Sequence, residues 1–84
     1  MQKGYNSDIQ VRGQSYHVQT EDWGEQNPYL VSRIFKNGAV LKTIKISRED
    51  ALLFGSTSPT DAIQMALKKQ HHNVLDQLMS GDIR

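Results

Sequence analysis

The chain contains no cysteine. That excludes a disulfide framework, a thiolate metal site and a thiol nucleophile. Long apolar runs are missing too: none approaches the roughly 18–20 residues of a membrane span. The opening residues MQKGYNSD hold no apolar segment, which argues against a signal peptide and for a cytoplasmic protein. The phosphate-cradling patterns G-x-x-x-x-G-K and G-x-G-x-x-G do not occur, nor do a G-x-S-x-G elbow or an S-x-x-K nucleophile. With no catalytic set, the sequence predicts a non-enzymatic protein without a cofactor. A last absence is local: residues 31–48 contain no acid.

What is present fits one small domain spanning residues 1–84. At this length a core without disulfides must be well used or completed by a partner subunit. Charge is segregated although the net is only +1. Residues 1–30 set Lys3 and Arg12 against Asp8, Glu21, Asp22 and Glu25. Residues 31–48 carry Arg33, Lys36, Lys42, Lys45 and Arg48 unopposed. Residues 49–84 set Lys68, Lys69 and Arg84 against five acids.

The most informative stretch is Tyr29–Ser47, in which two β-rich runs flank Asn37-Gly38, a strong hairpin signal. A tight turn there predicts strands over 29–36 and 39–47 and pairs Phe35 with Val40, Arg33 with Lys42, Val31 with Ile44 and Tyr29 with Ile46. Ile34 with Leu41, Ser32 with Thr43 and Leu30 with Lys45 take the other side. Both sides are partly apolar, so this hairpin is expected to be central. Arg33 opposite Lys42 puts two cations across a strand pair, which is unfavourable. An acid of the neighbouring strand, Glu21 or Asp22, compensates, or a partner supplies an anion, or the strands pair in a different register.

An earlier hairpin is expected over 7–12 and 14–21, turning at Gly13-Gln14 in type II′ geometry. Ile9, Val11, Tyr16 and Val18 share its apolar face, with Asp8, Gln10, His17 and Gln19 on the polar one. Asp22–Pro28 reads as a loop holding the only tryptophan, Trp23. Trp23 either folds back over one end of the core or anchors a partner.

Ser47 is a good helix cap, with Glu49 and Asp50 in the first turn where the helix dipole favours acids. A short helix over 48–54 would stop at Gly55. Ser58-Pro59-Thr60-Asp61 restarts the chain with cap, first-position proline and an acid. A long helix is expected over 59–79, ended by Gly81, with Ile63, Ala66, Leu67, Gln70, Val74 and Leu78 as its core stripe. Met65, Leu75 and Met79 form a second strip, either packed on the short helix or used as a dimer contact. The expected architecture is α+β: a four-stranded antiparallel meander followed by a short helix and a long helix on one face.

HVQTEDWG at His17–Gly24, Pro28, the Asn37-Gly38 hairpin and QHHNVLDQLMSG at Gln70–Gly81 together resemble a group of small uncharacterised bacterial domains. Those carry a V-Q/H-T-E-D-x-G signature and end in a Q-H-x-x-x-[IL] helix. The resemblance spans most of the chain and implies no activity, substrate or partner. Ile46, Ser47 and Arg48 stand where such domains often have a tyrosine, so no role of that tyrosine carries over.

Other chemistry is weakly supported. His71 and His72 are adjacent and point to different helix faces, and His72 with Asp76 offers only two ligands, so no metal site is expected. His71 is expected as a core histidine. Glu21 and Asp22, consecutive on a strand, would point to opposite faces and form no paired-carboxylate site. A carboxylate there is expected to order the following loop. The resulting expectation is a protein–protein interaction or adaptor module, with homodimerisation open to it, binding its partner through Trp23, Glu21, Asp22, Arg33 and Lys42. The alternative is a β-ribbon nucleic-acid binder using Arg33, Lys36, Lys42 and Lys45. A pI near 8.1 is short of the usual basic signature of such proteins.

Overall fold

A computed structural model of the chain describes residues 4–24, 26–51 and 59–81. Four strands follow one another, β1 (Tyr5–Val11), β2 (Gln14–Asp22), β3 (Tyr29–Lys36) and β4 (Ala39–Ser47). They form one open antiparallel sheet in sequence order, with β1 and β4 at its edges. A short helix α1 (Arg48–Ala51) and the long helix α2 (Pro59–Ser80) follow. This is the expected α+β meander with a helix on one face. The expected stop of α1 at Phe54 and Gly55, and the Ser58 cap, lie outside the described residues.

Local signals explain most boundaries. Asn37 and Gly38 both have positive φ, at 54° and 79°, the mirror-image turn that suits the twist of a two-residue hairpin. The Ser47 hydroxyl accepts a hydrogen bond from the Asp50 amide at 3.1 Å, capping α1 as expected. Gly81, at φ 86°, ends α2, and its amide bonds the Leu78 carbonyl at 3.3 Å.

The first hairpin turns one residue earlier than expected. Arg12 and Gly13 form the loop, with φ of 51° and 78°, and Val11 pairs with Gln14. A non-glycine residue in that region carries a strain. Arg12 also has a tertiary tie: its Nη2 donates to the Met79 carbonyl at 3.2 Å. That carbonyl lies in the last turn of α2, where acceptors lack partners within the helix. The shift moves the pairing by two residues, so Ile9, Val11, Tyr16 and Val18 keep their expected face.

The second hairpin departs by one residue, and this matters more. Phe35 pairs with Val40, but Ile34 pairs with Lys42. Leu41 is left as an extra residue in a β-bulge. From there to the end of β4 the faces are exchanged relative to expectation: Ile44 opposes Ser32 and Ile46 opposes Leu30 on the helix side, while Thr43 opposes Arg33 and Lys45 opposes Val31 on the open side. The physical reason is burial. An unbroken register would have turned both isoleucines away from the helix.

The core lies between the sheet and α2. One cluster holds Val18, Ile34, Val74 and Leu78, and a second holds Leu30, Ala51, Ile63, Ala66 and Leu67. Burial of a large apolar side chain contributes about 1.5–3 kcal/mol each. The whole expected stripe of α2 is buried, and His71 with it. A polar layer separates the clusters. Thr20 and Ser32 oppose each other in the sheet, and Thr20 Oγ1 lies 2.8 Å from Ser32 Oγ and 2.8 Å from His71 Nδ1. Ser7 Oγ is 2.8 Å from His71 Nε2. Gln70 Nε2 donates to Ser32 Oγ at 3.0 Å and to the Leu30 carbonyl at 3.2 Å. Helix and sheet are thus registered by hydrogen bonds as well as by packing.

Candidate functional site

The α2 backbone runs over β1, β2 and β3, so β4 lies at the margin of the covered face. No described element packs on the opposite face of the sheet. The residues of interest divide between this open face and the β4 margin.

On the face away from the helix, β2 presents His17, Gln19 and Glu21, β3 presents Tyr29, Arg33 and Phe35 with Val31 buried among them at 1% exposure, and β4 presents Thr43 and Lys45. Arg33 Nη2 lies 2.6 Å from Glu21 Oε1, so the expected compensating acid is Glu21. The guanidinium also sits 5.9 Å from the Phe35 ring centre. His17 Nδ1 is 2.7 Å from Asp8 Oδ1 across the β1–β2 pair. The Lys45 ammonium lies 5.3 Å from the Trp23 ring and 5.7 Å from the Tyr29 ring, each within cation–π range. Trp23 is half-buried. Its amide donates to the Tyr29 carbonyl at 3.0 Å, closing the loop.

The expected partner-binding set is therefore only partly brought together. Trp23, Glu21 and Arg33 lie toward the open face. Lys42 does not: it faces the helix side, opposite Ile34, and the predicted Arg33–Lys42 cross-strand pair does not exist. The bulge at Leu41 is the cause. Asp22 is buried at 2% exposure. Its Oδ1 pairs with Arg48 Nη1 and accepts the Gly24 amide at 2.9 Å. It orders the loop after β2 and ties it to the start of α1, as expected of a carboxylate there. Glu21 and Asp22 point to opposite faces.

The expected nucleic-acid set is divided as well. Arg33 and Lys45 face the open side. Lys42 faces the helix side, and so does Lys36, whose ammonium lies 5.7 Å from the Tyr16 ring. Of the proposed dimer strip, Met65 and Met79 are each 55% exposed, whereas Leu75 packs against the first core cluster. No group of three or more His, Asp or Glu side chains that could hold a metal occurs among the described residues.

The β4 margin is the feature that sequence reasoning located least well. Ala39 to Thr43 is exposed throughout, including Val40 at 52% and Leu41 at 36%. Between β4 and α2 runs a groove of about 420 Å³. Ile44, Ile46 and Val74 form its apolar part, Asn73 and Gln77 its helix wall, and Lys42 its mouth. Among the described residues neither Lys42 nor Lys45 makes an ion pair. The strand is thus basic on both sides, and no other strand among the described residues pairs with its outer backbone edge.

His71 is a buried titratable group whose protonation the fold alters. Its pKa is lowered from the ordinary 6.5, first by burial, then by the charges of His72 and His17. Held neutral, it can serve both hydroxyl neighbours, since each can donate or accept. Gln70 in the middle of an apolar stripe was the sequence signal of this polar layer. Its partners needed the strand register.

No protein-family model, no curated protein and no solved structure matches the chain.

Proposed function

We propose that this chain is a small non-catalytic protein-interaction module that takes an extended segment of a partner along the outer edge of β4. The observation that carries the reading is that edge itself: nine residues of strand whose outer side pairs with no other described strand, exposed from 39 to 43. Unpaired strand edges are templates for a further strand, whose backbone hydrogen bonds supply affinity while alternate side chains supply specificity. The cytoplasmic location expected from the sequence belongs to the same proposal. No helix among the described residues is long and apolar enough to cross a membrane. The nucleic-acid reading is set aside, because its four cations fall two and two on opposite sides of the sheet and Arg33 is paired with Glu21.

The test is a selection from a library of displayed peptides, followed by N-methylation of the winners. In an added antiparallel strand only every second residue turns its N–H toward the edge. Methylating that set should abolish binding, and methylating the other set should not. Amide chemical shifts should move along β4. Winners that tolerate both sets equally, or that perturb the amides of α2 and leave β4 unchanged, would overturn strand addition.

A further inference from the structure

We infer that the occupant of the β4 edge is an acidic segment with the pattern acid, apolar, any residue, acid, read from its N-terminus. This rests on the strand-addition reading and specifies its partner.

The pattern follows from the register. The sheet is antiparallel throughout, and antiparallel pairing is the more stable form per residue, so the added strand runs against β4. Directly opposed residues share a face of the sheet. A residue opposite Lys45 emerges on the open side, beside the ammonium that lies between Trp23 and Tyr29. The next residue opposes Ile44 and emerges over the groove formed by Ile44, Ile46 and Val74. The one after opposes Thr43 on the open side. The fourth opposes Lys42 at the groove mouth. Carboxylates fit the first and fourth places, because both lysines lack an ion-pair partner among the described residues. A cation–π contact leaves ammonium N–H groups free to donate. An apolar side chain fits the second place, where the groove of about 420 Å³ has room for it.

Two neighbouring occupants fit less well. A second copy of β4 would bring the same two lysines to an edge already carrying them. A nucleic-acid strand would set its phosphates against only half of the basic side chains on either face.

The probe is an acetylated, amidated eight-residue peptide with glutamate, leucine, threonine and glutamate at its centre. Its counterpart has lysine at both acidic places. Binding is read by amide shifts over 39–47 and by fluorescence anisotropy. The acidic peptide should bind wild type, and the lysine peptide should bind at least several-fold more weakly. Lys42→Glu and Lys45→Glu should each weaken the acidic peptide by about three- to tenfold and strengthen the lysine peptide. Both residues are exposed, so the variants should fold, checked by their unperturbed spectra. Asn73→Trp, on the exposed wall of α2, should fill the groove. It should weaken the leucine peptide and leave an alanine version unaffected.

The failures are separable. If alternate N-methylation still discriminates but charge reversal changes nothing, strand addition stands and the acidic occupant is overturned. If the acidic peptide binds and neither methylation set matters, both fail. No shift along β4 with the acidic peptide overturns the inference. So does a concentration-dependent dimer whose β4 amides are protected without any peptide, since a second copy then holds the edge.

Discussion

At the scale of single residues, His71 is where burial and protonation meet. Its imidazole is 3% exposed and lies between the hydroxyls of Ser7 and Thr20, with the Tyr5 ring centre 5.8 Å away. Burial lowers its pKa, and His72 and His17 add to the effect. In the unfolded chain the ring takes a proton near 6.5, its ordinary value. The folded chain resists until a lower pH. Stability from this site is therefore complete above about 6.5 and lost as pH falls through the folded value. Replacing His71 by leucine leaves Thr20 and Ser7 without that partner and should cost about 1–3 kcal/mol near pH 8. The gap between wild type and His71→Leu should then narrow on acidification, because only wild type keeps the titrating ring. Urea midpoints of both proteins from about pH 8 to about pH 5 check this. A gap that stays constant would mean that the ring is not held neutral by its surroundings.

At the scale of elements, three local signals are found where the sequence puts them, and one, the Gly13-Gln14 turn, is displaced by a residue. The Asn37-Gly38 turn, the Ser47 cap and the buried stripe of α2 each depend on residues within a few positions of one another. What failed depended on distant contacts. The Arg12-Gly13 turn is tied to Met79, 67 residues away. The Leu41 bulge settles a conflict between the turn, which fixes one pairing, and the core, which needs Ile44 and Ile46 facing α2. The core prevails, because a one-residue slip moves a whole set of side chains to the wrong face. The Trp23, Lys45 and Tyr29 cluster was hidden for the same reason, since only the corrected register puts Lys45 on the open side. The bulge makes an unusual prediction. Deleting Leu41 should be tolerated, within about 1–2 kcal/mol, because Val40 and Lys42 keep their partners Phe35 and Ile34. An alanine inserted between Thr43 and Ile44 should be far worse. It turns two half-buried isoleucines outward and should cost about 2 kcal/mol or more. Urea melts of the two variants separate these outcomes, and an unfolded deletion variant would refute the register argument.

At the scale of the whole molecule, the fold distributes a local excess of cations over two surfaces. Residues 31–48 carry five bases and no acid, yet no face presents them together. Arg48 is spent on buried Asp22, and Arg33 on Glu21. Lys36 lies against Tyr16, while Lys42 and Lys45 flank β4 on opposite sides. A polyanion samples one face at a time, so at most about two phosphates would be neutralised, whereas effective non-specific binders contact several. Binding to random duplex DNA should therefore be weak even at low salt and should fall with a shallow slope, about two at most on logarithmic axes. An acidic strand along β4 meets both lysines at once, because its side chains alternate between the same two faces. Its affinity should also weaken with salt, and the Lys42→Glu, Lys45→Glu double variant should reverse the sign of that dependence, since salt then screens a repulsion. Titrations at about 0.05 M and about 0.5 M salt compare the two ligands directly. A steep DNA slope, surviving in the double variant, would relocate the basic surface to residues other than the β4 pair.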